Sequence, residues 1–232
     1  MYIQILIILG SILFGLYAAF ALTKIAAIIP ARLEHQWAIE VEAHALSLNN
    51  TVEPTNYSFT LLQKAFIAVI ACLIGCAIFL TYGSSVDGFV IALFYLSLLL
   101  LVAINIKSAL LPDIVVFPAL WLGLLYYTYA GVGTEHIYGV AAGYLTPFFI
   151  MVAIKMATGK ELIGRGDLKA MAMAGAWFGI SGLPLFFTGF VIGLIAWLLI
   201  IHFGSKRNQG WTCTGPAHLL GALAATFGTT LF

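Results

Sequence analysis

Charge is what this sequence has least of. Only 8% of its 232 residues are Asp, Glu, Lys or Arg, ten basic against nine acidic, where a soluble domain carries about 25%. With 62% hydrophobic residues, a water-soluble globule of this size could not hide its apolar surface. That excludes a soluble enzyme and a disordered chain. The net charge of +1 supplies no basic field, so nucleic acid is not an expected partner. Cysteine is scarce too: Cys72, Cys76 and Cys213 are the only three. With no CxxC pair, neither a zinc knuckle nor a disulfide framework is supported, and no metal is expected. Cys72 and Cys76 stand four apart in an apolar run and read as packing thiols on one helix face. The first apolar run lacks a basic region before it and an A-x-A-like site close behind it, so it reads as a retained span.

What the sequence does have is long apolar runs. A helix needs about 20 apolar residues to cross the hydrocarbon. Eight candidates occur, at 3–29, 60–82, 88–106, 112–131, 137–158, 167–181, 183–203 and 214–232, the sixth short and Gly-rich. Gly83-Ser84-Ser85, Gly131-Val132-Gly133, Gly182-Leu183-Pro184 and Asn208-Gln209-Gly210 supply turn chemistry between them. No repeat of 20–50 residues is evident. The expected fold is all-α, a polytopic membrane helical bundle of about eight transmembrane helices. Residues 1–30 would form the first helix, 31–59 a cytoplasmic loop, and 60–232 a seven-helix membrane core. The start of the loop is amphipathic (Leu33, Trp37, Val41) and suits the membrane surface.

Basic residues set the orientation. Lys24, Arg32 and Lys64 flank the first long loop, and Lys107 follows the third span. Lys155, Lys160, Arg165 and Lys169 surround the link between spans five and six, and Lys206 and Arg207 follow span seven. With eight spans, all ten fall on one side, while the opposite loops hold Asp87, Glu135 and His136. The Lys-bearing loops are therefore expected in the cytoplasm and both termini outside.

Ionisable residues at membrane depth default to function. Glu34, Glu40, Glu42 and Glu53 lie in the polar loop and read as solvated surface, as do Asp87 and Glu135 in their short turns. Asp113 and Asp167 differ, because each stands where a cytoplasmic loop enters a span. Asp113 follows Leu110-Leu111-Pro112, and Asp167 ends Gly164-Arg165-Gly166-Asp167. Two glycines let the backbone bend and approach closely, and the helix dipole favours an Asp anion at its N-terminus. A plain helix cap would look the same. Ser11, Ser97 and Ser108 lack a His or Lys partner at a helical offset, which argues against a serine protease. His202 and His218 read as interfacial. Trp121, Trp177, Trp197 and Trp211, near span ends, read as membrane-belt anchors.

The stretch from Gly159 through Gly164-Arg165-Gly166-Asp167-Leu168-Lys169, followed by Ala174-Gly175-Ala176-Trp177-Phe178-Gly179, resembles the GxGD region of type IV prepilin peptidases. Ile104-Asn105-Ile106-Lys107-Ser108-Ala109-Leu110-Leu111-Pro112-Asp113, then Phe117-Pro118-Ala119-Leu120-Trp121-Leu122-Gly123-Leu124, resembles their other active-site region. Ile28-Ile29-Pro30 with Leu33-Glu34 and Trp37 is similar to the start of their first loop, and Gly215-Pro216 to a late feature. The resemblance implies a GxGD-type aspartic peptidase of the bacterial inner membrane. Such enzymes remove a short basic leader from prepilins or pseudopilins at the cytoplasmic face. The partners implied are that leader and membrane lipid; a homo-oligomer stays open. One aspartate activates water and the other gives a proton to the scissile amide, and close carboxylates sharing one proton supply such an acid and base. The resemblance makes Asp167 catalytic, with Gly164, Gly166, Lys169 and Asp113 in support. Lys169 would either raise the positive potential near Asp167 or snorkel to headgroups. Arg165 would meet lipid phosphate or a glutamate of the substrate. Asp113 would cap the fourth helix.

Two departures stand out. The family's first catalytic Asp aligns with Asn105, whose amide takes up no proton. The chain as written is then expected to bind a prepilin and cleave it poorly or not at all. An Asp→Asn substitution made to trap substrate, a degenerate homologue, or an active chain recruiting Asp113 all stay open, the last opposed by Pro112 between the two positions. Second, many relatives carry two zinc-binding CxxC pairs in the first loop, and this loop has no Cys. S-adenosylmethionine-dependent N-methylation, associated with that region, is therefore in doubt, and proteolysis itself needs no cofactor. Whether type IV pili, type II secretion or a conjugative pilus is served is not readable.

Overall fold

The computed structural model describes the backbone of residues 2–44, 57–159, 164–204 and 213–228, and the side chains of 15–37, 57–159, 164–200 and 213–228. All regular structure among the described residues is helical: α1 Tyr2–His44, α2 Leu61–Tyr82, α3 Val86–Ser108, α4 Asp113–Tyr129, α5 Gly133–Thr158, α6 Arg165–Gly204 and α7 Gly215–Gly228. Five are long and apolar enough to cross a membrane, and α4 is a shorter apolar helix. The chain is an integral membrane protein built as a polytopic helical bundle.

Helix α6 accounts for the difference between seven helices and eight expected spans. Its 40 residues would be about 60 Å long if straight, twice the hydrocarbon thickness. It is broken at Gly179, where φ 63° and ψ −177° leave the helical region. The Phe178 and Phe186 rings stack 6.1 Å apart, although eight residues of straight helix would separate them by about 12 Å. The sixth and seventh spans are therefore two segments joined by a sharp bend. The break falls at Gly179, not at the expected Gly182-Leu183-Pro184. A positive φ combined with an extended ψ needs glycine, whereas a membrane helix can carry a proline such as Pro184 within it. Helix α1 likewise continues past Pro30 to His44, so the first part of the expected loop is helical.

The chain forms two compact units, Met1–Ser108 and Ala109–Phe232, not a division at residue 60. In the first unit, α2 and α3 both pack on α1. Gly15 meets Cys72 so closely that an added Cβ would lie 2.9 Å from the Cys72 Cβ, which makes Cys72 the packing thiol its sequence setting suggests. Thr60 caps α2 in a capping box with Gln63. Lys107 donates to the Ser58 carbonyl at 3.0 Å and lies over the Phe59 ring, tying the end of α3 to the strap before α2.

In the second unit glycine sets the spacing. Gly139 and Gly175 face one another backbone to backbone across α5 and α6, and a Cβ on either would collide with the other. Gly189 and Gly193 do the same for the second half of α6 against α7. Close approach of this kind is how membrane helices associate when no hydrophobic drive exists between them. Trp177 is 3% exposed and lies against Gly123, where an added Cβ would come within 2.7 Å of its ring. Its Nε1 donates to the Ala119 carbonyl at 2.9 Å. Trp177 is thus the pin between α4 and α6 and not a membrane-belt anchor. Trp121 is exposed, as a belt residue would be; Trp211 lies outside the described residues.

Candidate active site

The GxGD segment follows α5, which Gly159 ends in the left-handed conformation (φ 70°). Residues 160–163 lie outside the described residues. Gly164 then stands at the N-cap of α6 and Asp167 in its first turn. The Gly164 amide donates to Asp167 Oδ2 at 3.0 Å, the backward half of a capping box. The Gly164 carbonyl in turn accepts from the Asp167 amide at 3.1 Å. So the carboxylate does cap, but from the third helical position and with one oxygen only. Gly166 packs against Leu111, where an added Cβ would lie 3.2 Å from the Leu111 Cβ. That contact sets α6 beside the Leu111-Pro112 turn before α4.

The other oxygen is spoken for from far along the chain. Thr214 Oγ1 lies 2.5 Å from Asp167 Oδ1, and with a carboxylate as partner the hydroxyl is the donor. Thr214 immediately precedes α7, so two helix starts meet at this carboxylate. Asp167 is only 8% exposed, and Leu168, Ala170 and Met171 beside it in the helix are buried as well.

Lys169 points elsewhere. Its Nζ reaches both oxygens of Asp113, at 2.8 and 2.7 Å, and sits over the Phe117 ring. Asp113 does not cap α4, whose N-cap is Pro112 without a side-chain cap bond. The two supporting residues are therefore an ion pair joining α4 and α6. Arg165 is exposed. Asn105 stands in the first unit, near the end of α3, and is 1% exposed beside the buried Leu101, Val102 and Ile104. His218, expected at the interface, is 2% exposed with its ring edge-on to Phe190 at 4.8 Å; His202 lies outside the residues whose side chains are described. Among the described residues no group of three His, Cys, Asp or Glu could hold a metal ion.

Residues 92–201 match the type IV leader peptidase family. The prepilin leader peptidase/N-methyltransferase of Escherichia coli (strain K12) is 31% identical over 159 residues, 68% of this chain and 70% of that protein. The chain belongs to the type IV leader peptidase family. The protein of the same name from Pseudomonas putida is 40% identical over 138 residues, 58% of this chain and 47% of its own length. That from Pectobacterium carotovorum subsp. carotovorum is 39% identical over 121 residues, 50% and 42%. The chain thus spans about half the length of these last two relatives. No solved structure matches it.

The family match takes in Asn105, Asp113 and the whole GxGD segment, and stops before Thr214 and His218. Sequence reasoning singled out neither the Thr214 bond to Asp167 nor the His218 contact with Thr214. The nearest signal was Gly215-Pro216, which marks the same helix start. The name printed for these relatives also carries a second activity, N-methyltransferase.

Proposed function

We propose that this chain is a prepilin or pseudopilin leader peptidase in which Asp167 is one catalytic carboxylate and position 105 belongs to the other. The observation that carries the reading is the Asp167 carboxylate: buried, held at both oxygens, and set in the GxGD segment of a chain from this family. Hydrolysis of the leader needs two proton transfers. One carboxylate takes a proton from water as the water oxygen attacks the scissile carbonyl, and the other gives a proton to the departing amide nitrogen. Asn105 can hold water or substrate by hydrogen bonds but can neither take nor give that proton. The chain therefore binds the leader and leaves it uncleaved.

The site faces the cytoplasm in this reading. Support comes from the charge pattern, which places all ten basic residues on one side of an eight-segment chain, and α6 bends into the two segments that this count requires. Asn105 also favours a second reading, a prepilin-binding or scaffold homologue without catalysis. One assay separates them. With Asn105→Asp, a prepilin should lose its leader at a rate at least about 100-fold above the unchanged chain, the lower end of what a positioned acid or base contributes. Asp167→Asn should remove that gain. A folded Asn105→Asp chain that binds prepilin and never cleaves it supports the scaffold.

A further inference from the structure

We propose that Thr214 is a positioning residue for Asp167, acting through its hydroxyl, and that His218 holds Thr214 in the place from which it acts. This rests on the reading of Asp167 as catalytic. The Asp167 carboxylate is gripped from two directions, by the Gly164 amide on Oδ2 and by the Thr214 hydroxyl on Oδ1. One bond alone would let the carboxylate turn about its Cβ–Cγ bond, a broad torsion with little preference of its own. Two bonds, one on each oxygen, fix its plane and leave the remaining lone pairs in set directions. A catalytic carboxylate needs that, since misplacement by about 1 Å can cost 100-fold in rate.

Thr214 is itself restrained. Its side chain is β-branched and has few rotamers. Its carbonyl accepts from the Ala217 amide at 2.9 Å and the His218 amide at 3.1 Å, and the His218 Nδ1 lies 3.0 Å from the same oxygen. A carbonyl only accepts, so His218 carries its hydrogen on Nδ1. His218 Nε2 is buried with no partner among the described residues, in a setting made by Phe186 and Phe190. An unpartnered buried nitrogen is a cost that an apolar side chain would avoid. What the imidazole gains there is its grip on the Thr214 carbonyl. The resulting relay runs from a buried aromatic cluster through His218 and Thr214 to the carboxylate, linking residues 47 apart in sequence.

The test uses the full chain in detergent or nanodiscs with aspartate 13Cγ-labelled. Its three aspartates, Asp87, Asp113 and Asp167, give three carboxyl resonances assignable by single Asp→Asn changes. Thr214→Val keeps the shape and removes the donor; Thr214→Ser keeps the donor. The Asp167 resonance should move in Thr214→Val and return in Thr214→Ser, with the other two still. If Thr214→Val loses its cooperative melt, Thr214→Ala takes its place. In the Asn105→Asp background, Thr214→Val should lower kcat about 10- to 100-fold with KM changed less than about 3-fold, and Thr214→Ser should restore it. His218→Phe should move the resonance the same way by a smaller amount. An Asp167 resonance that ignores the Thr214 hydroxyl overturns the proposal, as does an unchanged kcat. If Asn105→Asp alone gives no cleavage, the catalytic reading of Asp167 fails, and the resonance still decides whether Thr214 orients the carboxylate.

Discussion

At the scale of single residues, the GxGD segment was legible because its logic is local. Two glycines, a helix start and an acid lie within four positions, and the structure places Asp167 where that logic requires. The contacts that complete the site leave no such trace. Thr214 reaches Asp167 across 47 residues, and nothing in its neighbours marks a hydroxyl aimed at a carboxylate. Lys169, two residues from Asp167, has the length to turn either way along its helix, and only packing shows that it turns to Asp113. Both partners of that pair are partly exposed, at 33% and 50% of their side chains. An ion pair of this kind contributes less than about 1 kcal/mol. Lys169→Met should therefore lower the thermal midpoint in detergent by no more than a few degrees. A large loss of stability would mean that Lys169 does more than pair with Asp113. Trp177 and Trp121 share the same sequence setting near a span end, yet one is buried on Gly123 and the other exposed, because the choice depends on which neighbour offers a glycine.

At the scale of helices, the eight apolar segments were legible from length and composition, to within a few residues at most ends. Their pairing was also written in the sequence and went unread. Gly139 and Gly143 on α5, Gly175 and Gly179 on the first half of α6, and Gly189 and Gly193 on the second half are each four apart. These are the spacings that let membrane helices meet at their backbones. Gly175→Val should push α5 from α6 and cost about 1–3 kcal/mol or more. Gly159→Ala, at a left-handed helix end (φ 70°, ψ 2°) with open space around it, should cost only the backbone strain of about 1 kcal/mol. Melting both variants in the same detergent ranks them, and equal losses would contradict the close crossing. The bend at Gly179 has its own support. His136 Nδ1 lies 3.0 Å from the Ala176 carbonyl oxygen, just before the bend, while its ring stacks on Tyr127 at 3.7 Å. Glu135 hydrogen-bonds Ser181 just beyond the bend. His136→Phe keeps a ring on Tyr127 and loses the hydrogen bond, so it should destabilise by about 1–2 kcal/mol. Neither side chain was read as structural from sequence, since a turn acid and a turn histidine look like solvated surface until a broken helix needs them.

At the scale of the whole chain, composition alone established a membrane protein, and the resemblance alone pointed to its family. The division between units was not legible. It falls at Ser108 and Ala109, where Ala109 adopts a left-handed φ of 55° without being glycine and no Gly or Pro immediately announces the turn. Orientation is open to a direct check. A reporter active only outside the cytoplasm should be active when fused in the Gly131–Gly133 turn and silent when fused at Gly159; the reverse pattern would contradict the charge argument. The account as a whole turns on the proposed catalytic roles of Asp167 and of position 105. The decisive measurement is leader removal from a prepilin by the Asn105→Asp chain, beside the unchanged chain and the Asn105→Asp, Asp167→Asn double variant. The account predicts cleavage by the first alone. Cleavage by the unchanged chain, or cleavage that survives the loss of Asp167, would contradict it.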